Sequence, residues 1–187
     1  MPDATMSAVS AGPGSDGPEA RFRALFDATY DDLVRFVARR TGETDAADVV
    51  AEAFLTAWRR FADVPAETGD ARAWLFVTAR YLLANRARRD RGRAVVAVRL
   101  AGAVGEAAHA DEAAAARLDM ARAFARLSVS DQEVLALTAW DGLSQAEAAA
   151  VLGVSAGAYA VRLSRARRRL RGHLGGDGAA TAERSGW

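Results

Sequence analysis

The 187-residue chain has no cysteine and no lysine, only two histidines, and no apolar run near the roughly 20 residues a membrane span needs. Without cysteine there is no disulfide framework, thiolate zinc site or thiol switch, and His109 and His173 cannot make a metal cluster alone. The opening MPDATMSAVSAGPGSDGP lacks the basic and apolar regions of a secretion signal, so a soluble protein of the cytoplasm is expected. A glycine-rich phosphate loop, a catalytic triad motif and a metal motif are missing as well. The acids sit where helices need caps or solvated faces, which argues against an enzyme, catalytic residues and cofactors.

What is there is arginine. A net charge of +1 carries no message, but the distribution does, because the basic residues clump in RARRDRGR (Arg86 to Arg93) and RLSRARRRLR (Arg162 to Arg171). A single run at a helix end is explained by the helix dipole. Two runs, each closing an apolar-periodic segment and the second free of acid, point to a polyanion.

Strand signals are scarce, and the periodicity predicts an all-α chain of two small helical domains, an N-terminal helical bundle and a C-terminal helix-turn-helix, joined by a flexible linker. The expected boundaries are a disordered start at 1–18, a first domain at 19–93, a linker at 94–116, a second domain at 117–173 and a disordered tail at 174–187. In the first domain, Phe22, Leu25, Phe26, Leu33 and Val37 keep helical spacing up to Gly42, which sits where a C-cap belongs. Thr44 or Asp45 then caps a second helix, DAADVVAEAFLTAWRRF, and ARAWLFVTARYLLANRARR makes a third after a loop rich in acids.

In the second domain, Ser144 with Glu147 is a capping box, and Ser130 with Glu133 repeats the pattern one helix earlier. Gly153 ends the helix that Ser144 starts, and a basic helix follows from about Ala156. Two short helices around a glycine turn, the second basic, is the helix-turn-helix arrangement. Projected at 100° per residue, Tyr159, Leu163, Ala166 and Leu170 form the core arc of the last helix. Gly157, Val161, Ser164, Arg165 and Arg168 lie opposite, flanked by Arg162 and Arg169, so small residues enter a major groove first and arginines meet phosphates behind them. The third helix, projected in the same way, puts Leu75, Phe76, Ala79, Leu82 and Leu83 on one side. Trp74, Tyr81, Asn85 and Arg88 line the other, a stripe suited to the unpaired bases and backbone of melted DNA.

With DAADVVAEAFLTAWRRF and WLFVTARYLLANRARR ahead of a tether and LSQAEAAAVLGVSAGAYAVRLSRARRRLR behind it, the chain resembles the extracytoplasmic-function (ECF) sigma factors of bacterial RNA polymerase over roughly residues 20–172. The resemblance implies an alternative sigma factor that binds core polymerase, through its β′ and β subunits, and directs initiation at promoters by recognising −10 and −35 elements. Polymerase contact would fall on Asp48, Val49, Glu52, Phe54 and Trp58, against a coiled coil of β′. The −10 element would meet Trp74, Arg80, Tyr81, Asn85, Arg86, Arg88 and Arg89, with a flipped base held by the loop Asp63 to Ala73. The −35 element would meet Ser155, Gly157, Ala160, Val161, Arg162, Ser164, Arg165 and Arg168. The tether would thread toward the RNA exit path, and an anti-sigma factor is a partner the family allows for.

Three departures from the family pattern stand out. The core-binding helix has Ala47, Asp48 and Ala51 where a Glu-Asp pair and a following Gln are usual. Tyr81 replaces an Asn after Ala79-Arg80. The recognition helix opens Ala158, Tyr159, Ala160, Val161 in place of Thr-Val-Lys-Ser. The alternative is a free-standing helix-turn-helix regulator, which would need to dimerise on two half-sites and would not need the stripe on the third helix.

Overall fold

The computed structural model describes residues 17–89 and 111–182. They form seven α-helices and one 3₁₀ turn, with no strand among the described residues. Helix α1 (Pro18–Thr41) starts on a proline, whose fixed φ and missing N–H suit the first helical position. It stops at Gly42, which takes φ 90° and donates its amide to the Ala38 carbonyl. The same glycine opens α2 (Glu43–Arg59), so Thr44 and Asp45, the expected caps, lie inside the helix. One glycine ending one helix and starting the next leaves no room for a side-chain cap. A 3₁₀ turn at Phe61–Asp63 and a short loop lead to α3 (Thr68–Arg89), which begins three residues before the expected Ala71.

The three helices close on Leu33, Phe36 and Val37 of α1, Val49, Val50 and Ala53 of α2, and Leu75, Phe76 and Ala79 of α3, none more than 1% exposed. Phe36 meets Phe76 edge to face at 5.0 Å, worth about 1 kcal/mol beyond the area buried.

Most of the expected linker, and the expected disordered start through residue 16, lie outside the described residues. The linker's last part does not: α4 (Asp111–Ala125) begins within it, as the strong helix propensity of DEAAAAR favours. Helix α5 (Val129–Ala139) is capped by Ser128, whose hydroxyl accepts the Asp131 amide at 3.1 Å. The expected Ser130–Glu133 box does not form, because Ser130 is already within the helix and Glu133 turns toward Arg40 at 3.2 Å. Helix α6 (Gln145–Leu152) does carry its box. The Glu147 amide donates to the Ser144 hydroxyl at 3.2 Å, and the Ser144 amide donates to the Glu147 carboxylate at 2.7 Å. Gly153 then turns left-handed at φ 65°, and α7 (Ala156–Ala182) follows. It runs past Gly175, where a disordered tail was expected: the glycines there weaken a helix without breaking it, and alanines resume beyond them.

Tyr159 fixes α7 on the rest of the second domain. Its ring is fully buried, and its hydroxyl donates to the Val134 carbonyl at 2.8 Å and shares a hydrogen with the Thr138 hydroxyl at 2.7 Å. Burial pushes its pKa up despite the Thr138 bond.

The two domains are packed on each other, with α6 against α3. Arg39 donates to Asp141 at 3.0 Å from Nε, and Arg40 reaches both Asp141 (3.1 Å) and Glu133 (3.2 Å) while its guanidinium lies 3.7 Å over the Phe36 ring. Arg72 bonds Glu147 at 3.0 Å, the Asp141 carbonyl at 3.2 Å and, within its own domain, Asp32 at 2.8 Å. The Asp141 side chain is 0% exposed, with one oxygen on Arg39 and the other on Arg40, so removing both arginines would leave a bare buried carboxylate, at a cost of about 3–5 kcal/mol.

Candidate functional site

Three surfaces are candidates, and each is set by which face of a helix the core leaves free. On α7, Tyr159, Leu163 and Ala166 are buried and Leu170 half-buried, so the core arc is the one the periodicity selects. Gly157, Val161, Arg162, Ser164, Arg165 and Arg168 are all exposed opposite it, Val161 at 50%. Ala160 is only half-exposed, at the edge of the packed face. The Ser155 hydroxyl is committed to the helix, accepting the Ala158 amide at 3.2 Å, so this serine positions the first turn rather than offering a free hydroxyl. Arg169 donates twice to Asp131 at 2.8 Å, which leaves Arg162, Arg165 and Arg168 as the cations of this face that make no ion pair of 4.0 Å or less within the described residues. At the glycine, a Cβ would meet nothing within 4 Å, so the fold itself does not need a missing side chain there.

On α3 the free stripe is Val77, Tyr81, Asn85 and Arg88. Tyr81 is 63% exposed and Arg88 donates to the Asn85 side-chain oxygen, which orients that amide. Trp74 is half-buried and packs against the core, so only part of its ring is available. Arg80 points to the cleft between the domains, 3.9 Å from Glu133, and Arg86 lies 3.7 Å from Glu52 of α2. Arg89 is exposed. Below the loop that follows the 3₁₀ turn lies a hollow of about 150 Å³ between Leu25, Phe61, Val64, Pro65 and Ala71.

On α2, Asp48, Glu52 and Trp58 are exposed, Trp58 at 45%. Val49 and Phe54 are not: at 0% and 5% exposure they are core residues, because the stripe that faces α1 and α3 runs through Val49, Val50, Ala53 and Ala57 and takes Phe54 with it. The free face carries Leu55 instead, 46% exposed, a residue that the sequence pattern hides among its apolar neighbours. Beside it, Phe26 and Tyr30 of α1, 37% and 39% exposed, extend an aromatic ledge in which Phe22 meets Trp58 edge to face at 5.1 Å.

Electrostatically the capping box doubles as a link to the first domain. Partial burial alone would raise the Glu147 carboxyl, but the Ser144 hydroxyl and amide and the Arg72 guanidinium outweigh it and hold it below the ordinary range. Burial would likewise lower Arg72, and Asp32 and Glu147 together raise it instead. Among the described residues no group of His, Asp and Glu could hold a metal ion, and no single helix is long and apolar enough to cross a membrane.

A helix-turn-helix with a cationic outer face, packed on a helical domain with its own aromatic and basic stripe, defines a DNA-binding transcription protein. The models of Sigma-70 region 2 and Sigma-70 region 4 match residues 25–93 and 117–170. The ECF RNA polymerase sigma factor SigL of Mycobacterium tuberculosis is 37% identical over 155 residues, covering 81% of this chain and 88% of SigL. The RNA polymerase sigma factor CnrH of Cupriavidus metallidurans is 36% identical, over 72% of this chain and 76% of CnrH. Among solved structures, CnrH in complex with the cytosolic domain of CnrY aligns with a TM-score of 0.53 at 34% identity, over 87% of this chain and 92% of that one. The sigma factor RpoE of Bartonella quintana, in complex with the anti-sigma factor NepR, aligns with a TM-score of 0.57 at 25% identity, over 82% of this chain and 96% of that one. The chain belongs to the ECF family of RNA polymerase sigma factors and is an alternative sigma factor directing transcription initiation.

Proposed function

We propose a division of labour among the three surfaces. The free face of α2, with Asp48, Glu52, Leu55 and Trp58, docks on core polymerase. The stripe Val77, Tyr81, Asn85 and Arg88 meets the melted −10 strand, and the hollow beneath the loop before α3 is the place for a flipped base. The α7 face from Gly157 to Arg168 reads the −35 element, small residues against the bases and Arg165 and Arg168 on phosphates. The observation that carries this reading is the α7 face itself: four exposed positions without hydrogen-bonding forks come first, and the unpaired arginines follow. The chain acts in the cytoplasm, without catalysis of its own, and an anti-sigma factor is a fitting regulator, as NepR is recorded with RpoE.

Reconstituted transcription with core polymerase, followed by mapping of start sites, tests the reading. Promoter-specific transcripts should require both this chain and core enzyme. Tight, specific duplex binding by the chain alone, with no polymerase dependence, would favour the free-standing regulator.

A further inference from the structure

We infer that the cleft between the two domains, with Arg80, Ser130, Glu133 and Arg162 in its lining, is a binding site for a small organic phosphate, and that a nucleoside diphosphate is the class of ligand its chemistry fits. The site is separate from the polymerase, −10 and −35 surfaces and borders the last of them at Arg162.

The cleft measures about 510 Å³, within the roughly 300–1,000 Å³ of small-molecule sites, which favour domain interfaces. Two guanidiniums stand free in it, one from each domain. Arg80 of α3 is turned away from the −10 stripe, and its one ion pair, to Glu133 at 3.9 Å, is too long for a hydrogen bond. Arg162 of α7 makes neither a hydrogen bond nor an ion pair of 4.0 Å or less among the described residues. Each presents a planar fork of N–H donors matched to phosphate oxygens. The Ser130 hydroxyl is also unbonded among the described residues, because Ser128 takes the capping role at this helix start.

The carboxylates nearby are already engaged. Glu133 accepts from Arg40 at 3.2 Å, and Asp141 is shared by Arg39 and Arg40, so neither of them answers Arg162. The Nε of Arg40, which also lines the cleft, is buried without a hydrogen-bond partner. The cleft therefore carries positive charge in excess, and an anion is the occupant that offsets it.

Charge alone would suit inorganic phosphate, but the rest of the lining would not. Leu83, Val129 and Leu152 give the same cleft an apolar wall, with Val129 42% exposed. Inorganic phosphate would leave that wall wet. A ligand with a flat ring against the apolar wall and phosphates in the two forks covers both, and Glu133 can accept from its sugar hydroxyl or ring amine. Forks from separate walls also give a diphosphate two points of attachment. A bound nucleotide would occupy one cation at the edge of the α7 reading face; that consequence rests on the −35 assignment, whereas the binding itself does not.

Calorimetric titration of the full chain with ADP, GDP, pyrophosphate and inorganic phosphate tests the site. ADP or GDP should bind saturably with a Kd of about 1 mM or tighter, and about tenfold or more tighter than pyrophosphate, which reaches the arginines but not the apolar wall. Arg80→Ala and Arg162→Ala, both at exposed positions, should keep native circular dichroism and each weaken binding about tenfold or more. Arg59→Ala and Arg171→Ala, exposed arginines outside the cleft, should leave it unchanged. No saturable binding of either nucleotide, equal affinity for pyrophosphate, no loss at Arg80 or at Arg162, or equal losses in all four variants overturns the inference. Failure of the chain to transcribe with core polymerase would refute the sigma-factor surfaces instead, and these titrations would still decide the cleft.

Discussion

Gly157→Ala separates what the fold needs at the start of α7 from what DNA needs there. The residue is the second of the helix, a Cβ would touch nothing within 4 Å, and its φ is not in the left-handed region. Alanine should therefore stabilise the domain by up to roughly 0.5–1 kcal/mol, the full glycine penalty being an upper bound because the position is in the first turn. For a domain of this size that is a rise of about 2–8 °C in melting temperature. If the first turn of α7 presents its amides to a phosphate, the added methyl sits where the backbone must approach, and the charge-assisted bond is lost. Such a bond is worth about 1.5–3 kcal/mol, or roughly 10- to 150-fold in affinity. Thermal melts of the full chain, paired with transcription titrations at a mapped promoter, measure both quantities on one protein. A more stable protein with weaker −35 dependence is the expected pair of results. A more stable protein with undiminished promoter affinity would show that DNA stays away from this turn, and the reading surface would have to shift to Val161 and Arg162.

Asp48→Arg with Glu52→Arg should abolish polymerase association while circular dichroism stays native, since both side chains are exposed; Leu55→Ala with Trp58→Ala should weaken it in the same way, and Val49→Ala should instead lower stability. Removing Arg165 and Arg168 should flatten the slope of log affinity against log salt by up to roughly 2 on duplex DNA, equally for all sequences, and a loss confined to one base position would make one of them a base reader. Glu147 has its folded pKa held below its ordinary 4.5, so the stability it contributes is complete above that value and lost as pH falls through the lowered one. Denaturation midpoints of the unsubstituted chain and Glu147→Gln should therefore differ by a constant amount near neutral pH and converge in acid; a gap that persists in acid would refute the ionic role.

Elements whose information is local were legible in the sequence. The α7 core arc, the Ser144–Glu147 box and the glycine stops at 42 and 153 each depend on spacing within one or two turns, and each stands in the structure. The misplaced cap of α5 shows the limit of that logic: Ser128 and Ser130 both have an acid three residues on, and only the start of the helix decides which one is used. Val49 and Phe54, which the resemblance puts at the polymerase contact, are buried because a helix packed on two neighbours covers a wide arc, and Phe54 belongs to the apolar side of its helix by spacing as well. The interdomain seam was not legible, and for a physical reason. Glu147 is accounted for by its cap, Asp141 by a turn, and Arg39 and Arg40 by the dipole at the end of α1, so each charge has a sufficient local explanation. One trace remains in the pattern. Arg40 continues the buried arc of Leu33, Phe36 and Val37, and an arginine on the apolar face of a helix demands a carboxylate from somewhere. That carboxylate comes from Asp141, about a hundred positions away in the chain, and the demand for it is met where the second domain packs on the first.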